Sequence, residues 1–168
     1  DAEAAAVVET NVLGVIRGSK VAVRGMLEQG RGAVYNFEGL GSDGRVRAGL
    51  VPYGTTKAAV HYFTRALARE LAGTPVIVGS IQPGMVITDM VTRQFEGRPE
   101  DWQRAKRIFN LIADRPEPVA ARLAPRILAN RRSGAHIAYA SSWTLAWRFV
   151  TAPITRRDLF AGESRPDD

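Results

Sequence analysis

Apolar residues recur at helical spacing through the opening stretch, where Val8, Val12, Val15, Val23 and Leu27 line up between Ala2 and Glu28, and Gly30 and Gly32 close the run. The spacing predicts a long helix packed on a sheet, already under way where the sequence opens. Ala33 to Phe37 is a short apolar run, which predicts a strand buried on both faces. It empties into a loop rich in glycine: Gly39, Gly41, Gly44 and Gly49. Helical periodicity returns from Tyr53 to Leu71 through Ala59, Val60, Phe63 and Leu67, and Gly73, Thr74 and Pro75 break it. Val76, Ile77, Val78 and Ile81 then form a β-branched run that stops at Pro83 and Gly84, the ending of a central parallel strand.

Strand, helix and strand in this order imply a right-handed crossover, so the fold class is α/β with a parallel sheet. Beyond Thr88 the pattern predicts helices over 100–112 and 117–129 and a last strand over 135–140. The stretch 141–150 is apolar and carries Trp143, Trp147 and Phe149; a buried terminal helix is the reading, with docking on a membrane or closure over substrate as alternatives. One domain over residues 1–168 is expected, ending in a frayed polar tail over 155–168.

Composition narrows the chemistry mainly by exclusion. The 168 residues include no cysteine, which removes disulfides, thiolate ligands and thiol nucleophiles together. The two histidines, His61 and His136, lie far apart in sequence and outside any ligand-spaced cluster, so no metal site is expected. A net charge of +6 is spread along the chain without the basic element and interleaved aromatics of a nucleic-acid binder, and no nucleic-acid partner is expected. The charge leaves an acidic substrate or a membrane surface open as a contact. No apolar run approaches the roughly 20 residues that span a bilayer. The compartment stays open between cytoplasm and organelle stroma.

Tyr53 and Lys57 stand four apart at the start of a predicted helix, so their side chains share a face and can converge on one substrate atom. A phenol with an ordinary pKa of roughly 10 exchanges protons poorly at neutral pH, and a neighbouring cation favours its ionised form. Lys57 is the candidate cation. The pair follows a strand and a glycine-rich loop and precedes a strand ending in Pro83-Gly84, and Asn11 stands earlier in the long helix, in Asn11-Val12-Leu13-Gly14.

In this order the chain resembles the short-chain dehydrogenase/reductase family, whose pattern of Asn in a helix, strand, Tyr-x-x-x-Lys, strand and Pro-Gly it follows over nearly its whole length. The resemblance implies a three-layer Rossmann-type doubly wound parallel sheet, here lacking its N-terminal half. It implies Tyr53 as catalytic acid/base, Lys57 lowering its pKa and binding the nicotinamide ribose, and Asn11 holding a water in a proton relay. Pro83, Gly84, Val86 and Thr88 then match the segment that wraps the nicotinamide. The implied cofactor is NAD(P), with NADP favoured although the residues that would read it are missing from the front of the sequence, which looks like an excerpt or truncated reading frame. A homo-oligomer is implied as well.

One position departs from the family pattern. The strand Val34-Tyr35-Asn36-Phe37 usually runs into a serine pair, and here Glu38-Gly39 stand instead. Ser42 is a candidate replacement hydroxyl, though an exposed turn serine is the simpler reading, and Glu38 either orients substrate or faces water. Asn-Phe-Glu-Gly-Leu-Gly-Ser, Tyr-Gly-Thr-Thr-Lys, Pro-Gly-Met-Val-Ile-Thr-Asp-Met, and Phe109-Asn110-Leu111-Ile112 followed by Pro116-Glu117 look like chlorophyll(ide) b reductases. That resemblance implies reduction of the formyl group of a chlorin or a similar bulky apolar carbonyl, in a pocket lined from Val86 to Phe109 and by Trp143 and Trp147, with ordinary packing as the other reading of those aromatics. The competing function is a noncatalytic scaffold that keeps this fold and binds a partner.

Overall fold

The computed structural model describes residues 2–152, 154–155 and 157–161, without the side chains of Ser142 and Leu145. The chain divides into two compact units, residues 1–82 with 126–137 and residues 83–125 with 138–168.

The first unit opens on a helical run in three pieces: α1 (Ala2–Val8), a π-helical segment Glu9–Leu13, and α2 (Gly14–Glu28). The predicted helix is there, but its apolar stripe is not the predicted one. Val8 and Leu27 are exposed, while Ser19 and Val23 are buried. For Val8 the π turn is the physical reason, because its wider i to i+5 bonding, seen in the Gly14 N–H to Glu9 carbonyl bond, inserts a residue and resets the phase of the residues before it, whereas Leu27 is exposed in the last turn of α2.

Next come β1 (Gly32–Phe37), α3 (Val51–Glu70) and β2 (Val76–Gln82), with β1 and β2 parallel in the register Gly32 to Val76 through Phe37 to Ile81. The three-stranded sheet has the order β1, β2, β5, where β5 is His136–Ala138. β1 is therefore an edge among the described residues, and it is not buried on both faces as predicted: of its residues only Asn36 is buried, and Phe37 is 57% exposed. The central strand is β2, with Val76 and Val78 at 1% and 0% exposure, packed with Val23 and Ala68. Burying each such valine stabilises the unit by roughly 1.5–3 kcal/mol.

On α3 the buried stripe runs through Thr56, Val60, Thr64 and Ala68. Its threonines are satisfied locally, Thr64 Oγ1 donating to the Val60 carbonyl at 2.7 Å. Thr64 also accepts from Asn36 Nδ2 at 3.0 Å, and Ser19 Oγ donates to Asn36 Oδ1 at 3.4 Å, so a buried polar ladder joins α2, β1 and α3.

The second unit contains β3 (Met85–Val86), α4 (Asp89–Thr92), a 3₁₀ turn Arg93–Phe95, α5 (Pro99–Ile112) and β4 (Ala113–Asp114), with β3 and β4 parallel. Helix α6 (Pro116–Ala129) begins in it, burying Val119 and Leu123, and α7 (Ser142–Thr151) belongs to it. Its core is aromatic. Trp102, Phe109 and Phe160 are buried together, with the Trp102 and Phe160 rings edge to face at 4.9 Å between centroids.

This core corrects two expectations. Phe109 is a packing residue at 7% exposure rather than a pocket wall, because α5 turns it inward beside Ala105 and Ala113. Phe160 falls within the stretch read as a frayed tail yet is 4% exposed, since a phenyl ring had an aromatic cluster to enter; positions 156 and 162–168 of that tail lie outside the described residues. Helix α7 is not buried as expected: Trp143, Trp147 and Val150 are 85%, 68% and 69% exposed, while Arg148 points inward to Asp114 Oδ2 at 2.7 Å. The helix packs by its cation rather than its tryptophans.

Candidate active site

Helix α3 starts with Pro52 in its first turn, where a missing N–H costs nothing, and presents Tyr53, Lys57 and His61 at successive i+4 positions. The predicted pair does share a face. Lys57 Nζ donates to the Phe37 carbonyl at 3.2 Å and lies 5.7 Å from the centroid of the Tyr53 ring. Both groups are half-buried, and burial pushes the Tyr53 phenol up and the Lys57 ammonium down from their ordinary values, since each charged form loses water. The cation sits over the ring face rather than at the hydroxyl, so desolvation dominates the phenol within this chain.

Asn11 lies inside the π segment, a distortion that recurs at functional sites. Its Nδ2 donates to Thr56 Oγ1 at 3.1 Å, and Thr56 Oγ1 donates to the Tyr53 carbonyl at 2.7 Å. The π turn thus aims Asn11 at the first turns of α3, one residue from Lys57.

Gly39 occupies the position of the expected serine and lies against the Tyr53 phenol. A Cβ built on it would stand 2.5 Å from Tyr53 Oη and 3.3 Å from Cε and Cγ of Lys57. The loop comes this close because Gly41, at φ +101°, rests on α3; a Cβ there would meet the Gly54 carbonyl oxygen at 2.5 Å.

Ser42 is not an exposed turn serine. It is 5% exposed, its Oγ accepts from the Gly39 N–H at 3.1 Å and donates to the Lys57 carbonyl at 3.0 Å, so both bonding directions are spent on the backbone. Glu38 neither faces water nor reaches toward open space. Its side chain is 3% exposed, with Oε1 2.8 Å from His61 Nδ1 and Oε2 3.4 Å from His136 Nδ1. Ser80 Oγ is 3.0 Å from the same His136 nitrogen. A nucleophilic triad would need the serine and the acid on opposite ring nitrogens, so this cluster is not one. Among the described residues no group of three or more histidines and acids is arranged to hold a metal ion.

Sequence reasoning missed this cluster. The i+4 spacing from Lys57 to His61 was available as a signal. Nothing in the sequence indicated that His136, 98 positions after Glu38, meets the same carboxylate.

Pro83, Gly84, Val86 and Thr88 all lie in the second unit. Gly84 has φ +75°, Val86 is in β3, and Ile87 N–H donates to the Asp114 carbonyl at 3.0 Å, which makes the segment an ordered extension after β2. Thr88 stands at the N-cap of α4, but its side chain makes no capping bond. An apolar cavity of about 260 Å³ in the first unit is lined by Leu40, Val46, Leu50, Val51 and Ala58 with Arg45 and Arg47 at its edge. Tyr53 and Lys57 are not among its lining residues.

Within the first unit the donor chemistry fits a nicotinamide cofactor: Lys57 has three N–H groups and gives one to Phe37, leaving two that could be offered to ribose hydroxyls.

Comparisons with known proteins bear on the family and the fold. A chloroplast protein of Oryza sativa subsp. japonica named as a probable chlorophyll(ide) b reductase is 32% identical over 166 residues, 98% of this chain and 32% of its own length. A chloroplast chlorophyll(ide) b reductase of Arabidopsis thaliana is 37% identical over 132 residues, 76% of this chain and 36% of its own. This chain thus spans about a third of these curated relatives. Among solved structures, the closed form of a serine dehydrogenase complexed with NADP+ superposes with a TM-score of 0.65 at 27% identity, covering 78% of this chain and 52% of that one. The family model described as short chain dehydrogenase matches residues 1–99, more than half of the sequence and every one of Asn11, Tyr53, Lys57 and the Pro83 to Thr88 segment. With its α/β fold, parallel sheet and Tyr-x-x-x-Lys helix, the chain belongs to the short-chain dehydrogenase family.

Proposed function

We propose that this chain is the catalytic part of an NAD(P)-dependent carbonyl reductase acting on a bulky apolar aldehyde or ketone, with the formyl group of a chlorin as its sharpest form. The observation that carries the reading is the meeting of Tyr53 Oη with the side-chain-free edge of Gly39, backed by Lys57 and joined through Thr56 to Asn11. The cofactor supplies hydride when bound. NADP is the favoured form, in line with the NADP+ in the serine dehydrogenase complex.

In reduction, hydride adds to the carbonyl carbon, the C=O π pair moves to oxygen, and Tyr53 Oη gives its proton to that oxygen as the negative charge develops. The phenolate left behind is the species that Lys57 favours electrostatically, a role its ammonium takes once it swings from the ring face toward the oxygen. A water held by Asn11, together with the Lys57 ammonium, would relay a proton from solvent back to the Tyr53 phenolate. Burial raises the phenol's pKa, which keeps Tyr53 protonated and ready to donate before hydride arrives. Gly39, lacking a side chain, lets the strand exit approach the phenol more closely than a serine would allow. The chlorophyll(ide) b reductase names of the relatives support the bulky apolar substrate class.

The test is hydride transfer from NADH and NADPH by the full-length protein to a panel of aldehydes and ketones that includes formyl chlorins. Turnover that disappears in Tyr53→Phe supports the reading. Cofactor bound without turnover of any carbonyl, in wild type and variant alike, overturns it in favour of a scaffold.

A further inference from the structure

Both histidines of the chain converge on one buried carboxylate directly beside the glycine that abuts the reactive phenol. We propose that Glu38, His61 and His136 are positioning residues of the active site, a carboxylate clamp that holds Gly39 against Tyr53 in place of the family's serine. The proposal rests on the reductase reading for its catalytic consequence, and on geometry for its mechanical one.

Glu38 follows directly on β1 and is tied to the sheet by its N–H, which donates to the Ile81 carbonyl at 2.8 Å. Its side chain then reaches α3 through His61 and β5 through His136, and His136 is shared with Ser80 on β2. One residue of the strand exit is thereby fixed to three other elements. A carboxylate only accepts, so Nδ1 of His61 carries the hydrogen that bonds Oε1 at 2.8 Å, while His136 Nδ1 lies 3.4 Å from Oε2 and hydrogen-bonds with Ser80 Oγ at 3.0 Å. On the other side of Gly39, Ser42 takes the Gly39 N–H and bonds the Lys57 carbonyl. Gly39 is therefore clamped from both flanks, and each clamp ends on α3 within one turn of Lys57.

The burial makes the clamp consequential. At 3% side-chain exposure the Glu38 carboxylate has almost no water to fall back on, so its two imidazole partners are what keep it in place. A surface glutamate at the same position would leave the Gly39 turn free to move. His61 and His136, at 33% and 45% side-chain exposure, each face Glu38 with one nitrogen and present the rest of the ring toward solvent, which is the orientation of supports rather than of groups that touch substrate.

The experiment compares wild type, Glu38→Gln, His61→Ala and His61→Asn in the full-length protein, measuring kcat, the Kd of reduced cofactor by its fluorescence, and the melting midpoint. Glu38→Gln keeps the shape but opposes an amide N–H to an imidazole N–H; a kcat lowered about tenfold or more with Kd unchanged within about twofold is expected. His61→Asn returns an N–H near the place of Nδ1 and is expected to recover most of the kcat that His61→Ala loses. Unchanged kcat in Glu38→Gln, or losses in kcat that follow the melting midpoint with no recovery in His61→Asn, overturn the clamp. If wild type itself turns over no carbonyl, the reductase reading fails, and the clamp is judged by the near-ultraviolet titration of Tyr53 against matching Tyr53→Phe backgrounds. A titration that moves to lower pH in Glu38→Gln, as water enters beside a phenol that burial had raised, supports the clamp, and an unmoved titration refutes it.

Discussion

Restoring the family's side chain at position 39 should harm this protein. Gly39 has no positive φ that would penalise a side chain, so Gly39→Ala and Gly39→Ser are tolerated by the backbone and act through space alone. The new Cβ would stand 2.5 Å from Tyr53 Oη. Ordinary carbon to oxygen contact begins near 3.4 Å, so the phenol or the turn must give by about 0.5–0.9 Å. The turn is held by Glu38 and Ser42, so the tyrosine is the partner that moves. Displacements approaching 1 Å at a reacting group cost on the order of 100-fold in rate, about 2.7 kcal/mol in the barrier. Steady-state reduction of a small aldehyde by the full-length protein is therefore expected to show kcat reduced about 30- to 100-fold in both variants. Cofactor Kd should hold within about twofold, because on Lys57 the new Cβ meets only the Cε and Cγ methylenes, at 3.3 Å, and not Nζ, the donor proposed for ribose. A serine variant with wild-type or higher kcat would refute the steric argument and show that the missing hydroxyl, rather than the close packing, governs the site.

Tyr53→Phe should lower turnover by at least about 100-fold while leaving cofactor binding in place, as measured by stopped-flow hydride transfer. The stability of wild type relative to Tyr53→Phe should decline as pH rises above the ordinary phenol value near 10, because the folded chain holds that proton to higher pH than the unfolded chain does. The stability of wild type relative to Lys57→Met should rise over the window between the lowered folded pKa of Lys57 and its ordinary value, since there the unfolded chain binds more protons; chemical denaturation across alkaline pH reads both slopes. Phe160→Ala, which empties a 4%-exposed ring from the Trp102 and Phe109 cluster, should cost about 3–5 kcal/mol, read as a lowered denaturation midpoint.

The elements were legible where a periodic run met punctuation. The Tyr53 helix, the β2 strand and the helices of the second unit start and stop within about two residues of where apolar spacing, Pro75 and Pro99 place them, because local propensity and packing agree there. The first helix was legible in extent but not in phase, since the π turn that holds Asn11 has no hydrophobic signature. Tyr53 and Lys57 could be paired from spacing alone, as helix geometry fixes neighbours four apart. The Glu38 cluster could not, because its partners are brought together by strand order. The same holds for α7, whose tryptophans were assigned to the interior by hydrophobicity while an arginine satisfied by Asp114 took that place.

The most direct test of the central claim is a paired measurement on the full-length protein: NADPH oxidation with a formyl chlorin as acceptor, wild type against Tyr53→Phe. The account predicts a hydroxymethyl product formed by wild type and lost in the variant, with NADPH bound by both. Equal rates in the two proteins would contradict it, as would binding of NADPH with no reduction of this or any other carbonyl.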